Sequence, residues 1–361
     1  MKQKSIVAVV KTSPDTVIDD YSRVMRLCNY QKYLPKDKTT IIKLNLSWSL
    51  YYPACSTEPW QLEGVLKTLR EDGYKDIVAM ENKTVVTDPL KGLKQNKWAD
   101  ILEKYDVEFV PLMDVEWIPY DDIVKADLPA IKRIFGDSHR IPKPFIGTNV
   151  IHLPTMKTHG HTTITGAMKN AFGGLITERR HHCHKLIHEV LVDLLKIQKE
   201  IHTGIFAVMD GTVCGNGKGP RTMKPEIHGY LLASNDQVAI DAVASRMMGF
   251  NPEQIDFIKL AAEEGLGNMD LNNNIEIVGE DISEVNFKFE VGESLVIWGD
   301  KLFRKGKLSF LEPLLFHTPL FKLAILGSAL YHDYLWYPLI GKRRIKWFKK
   351  TAWGRLFETY R

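Results

Sequence analysis

Short runs of β-branched and apolar residues alternate with helical periodicity from Ser5 to Gly279, and this alternation constrains the fold more than any other feature. Strands are predicted at Ser5–Val10, Thr39–Leu46, Asp76–Met80, Val107–Leu112, Asn149–Leu153, Ile205–Met209, His228–Ala233 and Asn274–Gly279. Helices are predicted at Thr16–Cys28, Pro59–Asp72, Lys94–Tyr105, His184–Ile201 and Pro252–Glu264, with one more capped by Asn235 or Asp236 and running to about Met248. Parallel strands need crossovers of this length, so the expected fold class is α/β: a doubly wound, mostly parallel sheet, Rossmann-like without a dinucleotide fingerprint. The expected α/β domain covers 1–300, with a subdomain inserted near 115–141.

Charge separates the last sixty residues from the rest. Lys301–Arg361 holds 13 Lys and Arg against Glu312, Asp333 and Glu358, a net of +10. The whole chain is +4, so the first 300 residues carry −6, and nucleic-acid binding by the body is not expected. Leu308–Leu330 is apolar but broken by Pro313, His317, Pro319 and Lys322, a poor spanning segment. Residues 336–355 interleave Trp336, Tyr337, Trp347, Phe348 and Trp353 with Lys342, Arg343, Arg344, Lys346, Lys349 and Lys350. Such a helical extension suits a membrane surface, or packing on the body or a second copy in a homodimer. The N-terminal apolar run is too short for a signal peptide, so a cytoplasmic protein, peripheral on the membrane, is expected.

The run Leu153–Gly174 carries the densest chemistry. A strand ends near Leu153, a loop follows at Pro154 and Gly160, and Thr162 or Thr163 is placed to cap the next helix. Such a loop lies at the carboxyl rim, where open α/β sheets bind ligands. The helix N-terminus, Lys157, Lys169, Thr158, Thr162 and Asn170 together favour a phosphate or carboxylate. Asn45 and Glu81 end strands that reach the same rim. His159 and His161 are candidate acid–base groups.

Seven of the twelve histidines fall between His152 and His188. On a helix His184 and His188 share a face, so His181, His184 and His188 could hold a divalent metal. The run VMDGTVCGNGKGP delivers Asp210 into a glycine-rich loop, where Asp210 could act as a base or hold a hydroxyl while Gly211, Gly217 and Gly219 let backbone approach a ligand. It is neither a Walker loop nor a dinucleotide fingerprint. Cys28, Cys55, Cys183 and Cys214 lie far apart, without an iron–sulfur or disulfide pattern.

The segments PTMKTHGHTTITGAMKNAFGG, VMDGTVCGNGKGP and LLASNDQVAIDAVASRMMGF, followed by EEGLGNMD, resemble the domain of unknown function family 362, over roughly residues 5–285. The matching positions are Lys157, His159, Lys169, Asn170, Asp210, Gly211, Gly217, Gly219, Pro220, Asp236 and Asp241. Many members are described as iron–sulfur proteins because they carry a ferredoxin-like insertion. This chain lacks those cysteines, and the cluster does not carry over. The resemblance implies where the site lies and not which reaction it runs. From the residues themselves three functions are expected in order. The first is an enzyme acting on an anionic, lipid-linked substrate; the second is a metal- or cofactor-dependent oxidoreductase; the third is a non-catalytic, membrane-associated assembly factor.

Overall fold

The computed structural model describes residues 4–177, 180–304, 306, 308–312, 314, 318 and 320–361, without the side chains of 137, 181, 295 and 309. Its strands are β1 (Ser5–Lys11), β2 (Thr40–Lys43), β3 (Ile77–Glu81), β4 (Glu108–Pro111), β5 (Trp117–Pro119), β6 (Arg140–Pro142), β7 (Asn149–His152), β8 (Thr155–His159), β9 (Thr163–Ile164), β10 (Gly204–Lys218), β11 (Thr222–Ser234) and β12 (Ile275–Gly279). The main sheet runs β12-β1-β11-β10-β7-β2-β3-β4. Only β11 is antiparallel to its neighbours along this path, so the sheet is mostly parallel.

Helices cover both faces. One core layer packs the sheet against Gly166–Leu175, Ile187–Ile201, Gln237–Met248 and Asp256–Glu263. The other packs it against Val17–Leu27, Pro59–Glu71 and Ala99–Lys104. Burial on both faces explains why the central strands β2 and β7 are buried at every position. Between β4 and β7 a two-stranded sheet, β5 with β6, flanks the helix Pro129–Phe135. Asp193 fastens that helix by accepting from the backbone N–H of Ala130 at 2.9 Å and Ile131 at 3.0 Å.

Four local expectations are corrected. The helix predicted at Lys94–Tyr105 is two helices, Pro89–Gln95 and Ala99–Lys104, separated where Lys97 adopts φ +59°. The long helix begins at Ile187 and not His184, because Arg180–Leu186 winds as a 3₁₀ segment. The glycine-rich run after Asp210 is no loop: β10 continues through it to Lys218 and returns as β11, with a register shift between Gly211 and Val213. Neither Thr162 nor Thr163 caps the helix Gly166–Leu175, since both lie at the β8–β9 hairpin and Thr165 holds the cap position without a side-chain bond. At the other predicted cap it is Asp236 that accepts from Val238 N and Ala239 N.

The C-terminal region is helical and folds back on the body. Phe321–Ala329 continues as a π-helical segment, Leu330–Gly341, and then as the helices Lys342–Phe348 and Ala352–Thr359. Trp353 packs 5.2 Å from Trp60, Phe357 stacks 3.8 Å from Tyr51, and Trp336 lies against Trp48 and Tyr52. Phe348, Trp353 and Phe357 belong to the core of the body. The aromatics expected at a membrane are therefore, with the exception of half-exposed Trp347, structural. The exposed apolar surface lies just upstream, on Leu323, Leu326, Leu330, Tyr334, Leu335 and Leu339. No helix among the described residues is long and apolar enough to cross a membrane.

Candidate functional site

A cavity of about 480 Å³ opens beyond the carboxyl ends of β2, β3 and β8, between the body and the C-terminal helices. Its body side carries Ser47, His159, His161, Lys169, Arg180, His184, Lys218, Gly219 and Arg221. Its other side is apolar: Val296, Ile297 and Phe303 from the helix Leu295–Arg304, and Phe321, Ala324 and Ile325 from the helix above. An annex of about 70 Å³ leads inward from Lys169 to Lys43, Asn45, Glu81 and Asn170.

Cations dominate the polar wall. Among the described residues the Lys169 ammonium has no hydrogen bond or ion pair, standing 5.4 Å from the centroid of the Phe172 ring. Burial, with Lys157 and Arg180 nearby, brings its pKa down to about 7. Arg180 donates to the carbonyls of Gly173 at 2.9 Å and Lys83 at 3.3 Å, while its Nε finds no acceptor among the described residues. Arg221 likewise has no ion pair among the described residues. Among the described residues Asp300 is the only acid on the wall, and Arg304 already holds its Oδ1 through Nε at 2.8 Å.

The predicted helix N-terminus is not available to a ligand. Asp241, buried on the helix Gln237–Met248, accepts from Ala167 N at 2.5 Å and Met168 N at 3.0 Å. A protein carboxylate thus occupies the place expected for a bound anion. Gly166 enters this turn at φ +67°, and a Cβ there would run into the Asp241 carboxylate.

Lys157 lies behind the cavity wall. Its ammonium donates to Asn45 Oδ1 at 2.5 Å, to Ser47 Oγ at 3.0 Å and to the Cys55 carbonyl. Burial lowers its pKa to about 8. It thereby braces the end of β2 from beneath. Asn170 is similarly committed, donating to the Lys43 carbonyl at 3.0 Å and accepting from Asn45 Nδ2 at 3.3 Å. Glu81 is paired with Lys43 at 2.8 Å, both almost wholly buried.

Asp210 does not belong to the cavity. It is buried on β10 and accepts from Tyr21 Oη at 2.6 Å, Trp60 Nε1 at 2.9 Å, and Thr212 N and Oγ1 at 2.9 and 2.7 Å. Four donors saturate it, so its expected catalytic role is replaced by one of joining sheet to helices. Thr158 bonds the carbonyls of Gly215 and Gly217, and Thr162 bonds that of Ile164. Gly211 lies within β10, where a Cβ would come 3.0 Å from the Tyr230 carbonyl oxygen. At Gly217, where φ is +100°, an added Cβ would meet nothing within 4 Å. Of the three glycines only Gly219 reaches the cavity.

The histidines sort differently from their spacing. His159 and His161 face the cavity, and burial with nearby cations pushes both pKa values down, that of His161 to about 3. Their rings are neutral at pH 7, so they can share hydrogen bonds or ligate a metal but are weak bases, which moves both away from the near-neutral acid–base role expected from sequence. His184 Nδ1 lies 3.2 Å from Asp300 Oδ2, and His161 Nε2 lies 3.5 Å from the same oxygen. His188 instead bonds the His161 carbonyl at 3.2 Å and accepts from Phe257 N, and the side chain of His181 lies outside the described residues. Of the expected metal set, His184 lies in the 3₁₀ segment and meets Asp300, His188 lies on the helix and takes other partners, and the His181 side chain lies outside the described residues. The convergent set is His161, His184 and Asp300, whose ligand atoms lie within 4.8 Å of one another.

Sequence reading missed Arg180, Lys218, Arg221, Asp300 and the apolar wall. Lys218 and Arg221 were legible as the basic flanks of the Gly219-Pro220 turn. Asp300 carried no local signal, being far from both histidines along the chain.

The family model described as a domain of unknown function, DUF362, matches residues 40–246. This span includes β2 through most of the helix Gln237–Met248, and with it Lys157, Lys169, Asn170 and Asp241. A "Thylakoid-associated protein sll1697" of Synechocystis is 31% identical over 126 residues, covering 33% of this chain and 37% of that protein. The match therefore spans little more than a third of that relative's length. No solved structure matches. With more than half its length under one family model, the chain belongs to the domain of unknown function family DUF362.

Proposed function

We propose that the chain binds an anionic amphiphile, a phosphate- or carboxylate-bearing lipid-linked molecule, in the 480 Å³ cavity and acts on it there as an enzyme. The observation that carries this reading is a cationic wall on which Lys169 and Arg221 make no ion pair among the described residues, facing an apolar wall across one space. The cations suit a charged head, and Val296, Phe303, Phe321 and Ile325 suit an alkyl chain. His159, held neutral with its Nδ1 accepting from His161 N, keeps its Nε2–H as a donor to the head group.

The same helix that lines the cavity with Phe321, Ala324 and Ile325 turns Leu323 and Leu326 outward. With Leu330, Leu335 and Leu339 they form an exposed apolar face, followed at once by Lys342, Arg343, Lys346, Lys349 and Lys350. Apolar surface beside clustered lysine and arginine fits peripheral attachment to an anionic leaflet, such as the cytoplasmic one. The thylakoid association in the name of the Synechocystis relative agrees with such a placement.

Titration calorimetry of the full chain with octyl phosphate tests the reading. Lys169→Glu is expected to weaken binding by about 30-fold or more, since a charge-assisted bond contributes about 1.5–3 kcal/mol and reversal adds repulsion. Unchanged affinity in that variant would remove the proposal.

A further inference from the structure

His161, His184 and Asp300 come from three separate elements: the turn between β8 and β9, the 3₁₀ segment Arg180–Leu186, and the helix Leu295–Arg304. None of them lies in the metal set that chain spacing suggests, apart from His184. Two imidazole nitrogens nevertheless converge on one carboxylate oxygen, at 3.2 and 3.5 Å. Ligands bound tetrahedrally to zinc at about 2.0–2.1 Å stand about 3.3 Å apart along each edge. Both histidine–carboxylate edges are close to that spacing, and all three ligand atoms lie within 4.8 Å of one another.

We infer that these three side chains form a binding site for a divalent first-row transition metal, with its remaining coordination position open to the cavity. Two histidines and one carboxylate are the donor set of zinc and non-haem iron sites that keep an exchangeable position. The second shell is already in place. Arg304 Nε holds Asp300 Oδ1 at 2.8 Å, which leaves Oδ2 directed at the histidines. The His161 backbone N–H donates to His159 Nδ1 at 3.2 Å, and the His161 carbonyl meets His188 Nε2 at 3.2 Å, so the turn carrying His161 is tied on both sides. Lys169 and Arg180 line the same cavity, placing an anion-binding wall within reach of the open position. The inference does not rest on the amphiphile reading, since the ligand geometry stands without any substrate.

The test uses the full chain after chelator treatment, titrated with Zn(II) and separately with Co(II). One equivalent of each is expected to bind, with Co(II) visible bands of four- or five-coordinate intensity. Asp300→Asn and His184→Ala are each expected to weaken Zn(II) binding by about 100-fold or more, and Arg304→Gln, which keeps all three ligands, by about 10–100-fold. His228→Gln, on β11 and packed against Phe287, is the control and leaves binding unchanged. Failure of the full chain to take up one equivalent, or equal affinity in the Asp300, His184 and Arg304 variants, would overturn the site. Octyl phosphate binding by the chelator-treated chain reads the anion wall separately, so the two proposals fail independently.

Discussion

Lys43 and Glu81 end adjacent strands, β2 and β3, and face each other at 2.8 Å with almost no solvent. Lys43 also donates to the Leu44 carbonyl at 2.5 Å, and Glu81 accepts from Asn82 N at 2.7 Å. Glu81 was expected to bind ligand, but its charge is consumed by this pair. Removing one member leaves the other as an uncompensated buried ion, so Glu81→Ala should lower unfolding free energy by about 3–5 kcal/mol in urea titration. The double replacement Lys43→Met with Glu81→Leu should recover most of that loss. Lys169 behaves differently, because its ammonium has no hydrogen bond or ion pair among the described residues. Its pKa of about 7 makes the ammonium form fall away as pH rises above 7. Binding of octanesulfonate, whose own charge is constant, should therefore be strongest below pH 7 and weaken between pH 7 and 9. The stability sign is opposite. The folded pKa lies below the ordinary 10.5, so the unfolded chain holds the extra proton between about pH 7 and 10.5 and this lysine's contribution to stability rises across that window. A flat pH profile for octanesulfonate binding would contradict the Lys169 assignment.

At the scale of elements, the helix Gly166–Leu175 explains why reading the local run mistook the anion site. Its first-turn N–H groups do bind a carboxylate, but one supplied by Asp241 from a helix distant in the chain. Asp241 couples two helices of one layer, and Asp236 caps the helix on which Asp241 rides. Asp241→Ala should strip both bonds and cost about 3 kcal/mol, seen as a lower urea midpoint with an unchanged slope. An unchanged midpoint would show that the cap contributes nothing. The β10–β11 hairpin teaches the same lesson for a sheet. Glycines at 211, 215, 217 and 219 suggested a loop, yet those at 211, 215 and 219 let the chain pass close to its neighbours, a Cβ at Gly219 overlapping the Thr158 carbonyl, while Gly217 takes φ +100°. Small residues required by crowding look in sequence like small residues required by a turn.

At the scale of the whole molecule, the C-terminal helices both close the cavity and carry the exposed apolar face. Leu323 and Leu326 are 64% and 55% exposed, on a helix whose other side lines the cavity. Leu323→Glu with Leu326→Glu should reduce partition to vesicles containing anionic lipid by about tenfold or more, without changing thermal stability, since each leucine entering lipid contributes about 1.5–3 kcal/mol. Equal partition of that variant and the natural chain would place the contact elsewhere. Much of the architecture follows from local signals. The alternation of period-two and helical stretches, read along the chain, predicts the parallel sheet and its two helical layers, because backbone pairing and face burial repeat at short range; the family resemblance rests instead on the motif segments around Lys157, Asp210 and Asp241. That Lys169, His159 and His161 line one cavity was legible because they lie together on one run at the rim. What that run faces was not legible. Whether a lysine is braced, paired or left open, as at 157, 43 and 169, depends on acceptors contributed by distant segments. Asp300 joins His161 and His184, and Asp241 takes the helix N-terminus, only when separate elements pack. Sequence alone determined the scaffold and the neighbourhood of the site; tertiary structure decided which charges remain unpartnered, because desolvation and hydrogen bonding act through space and not along the chain.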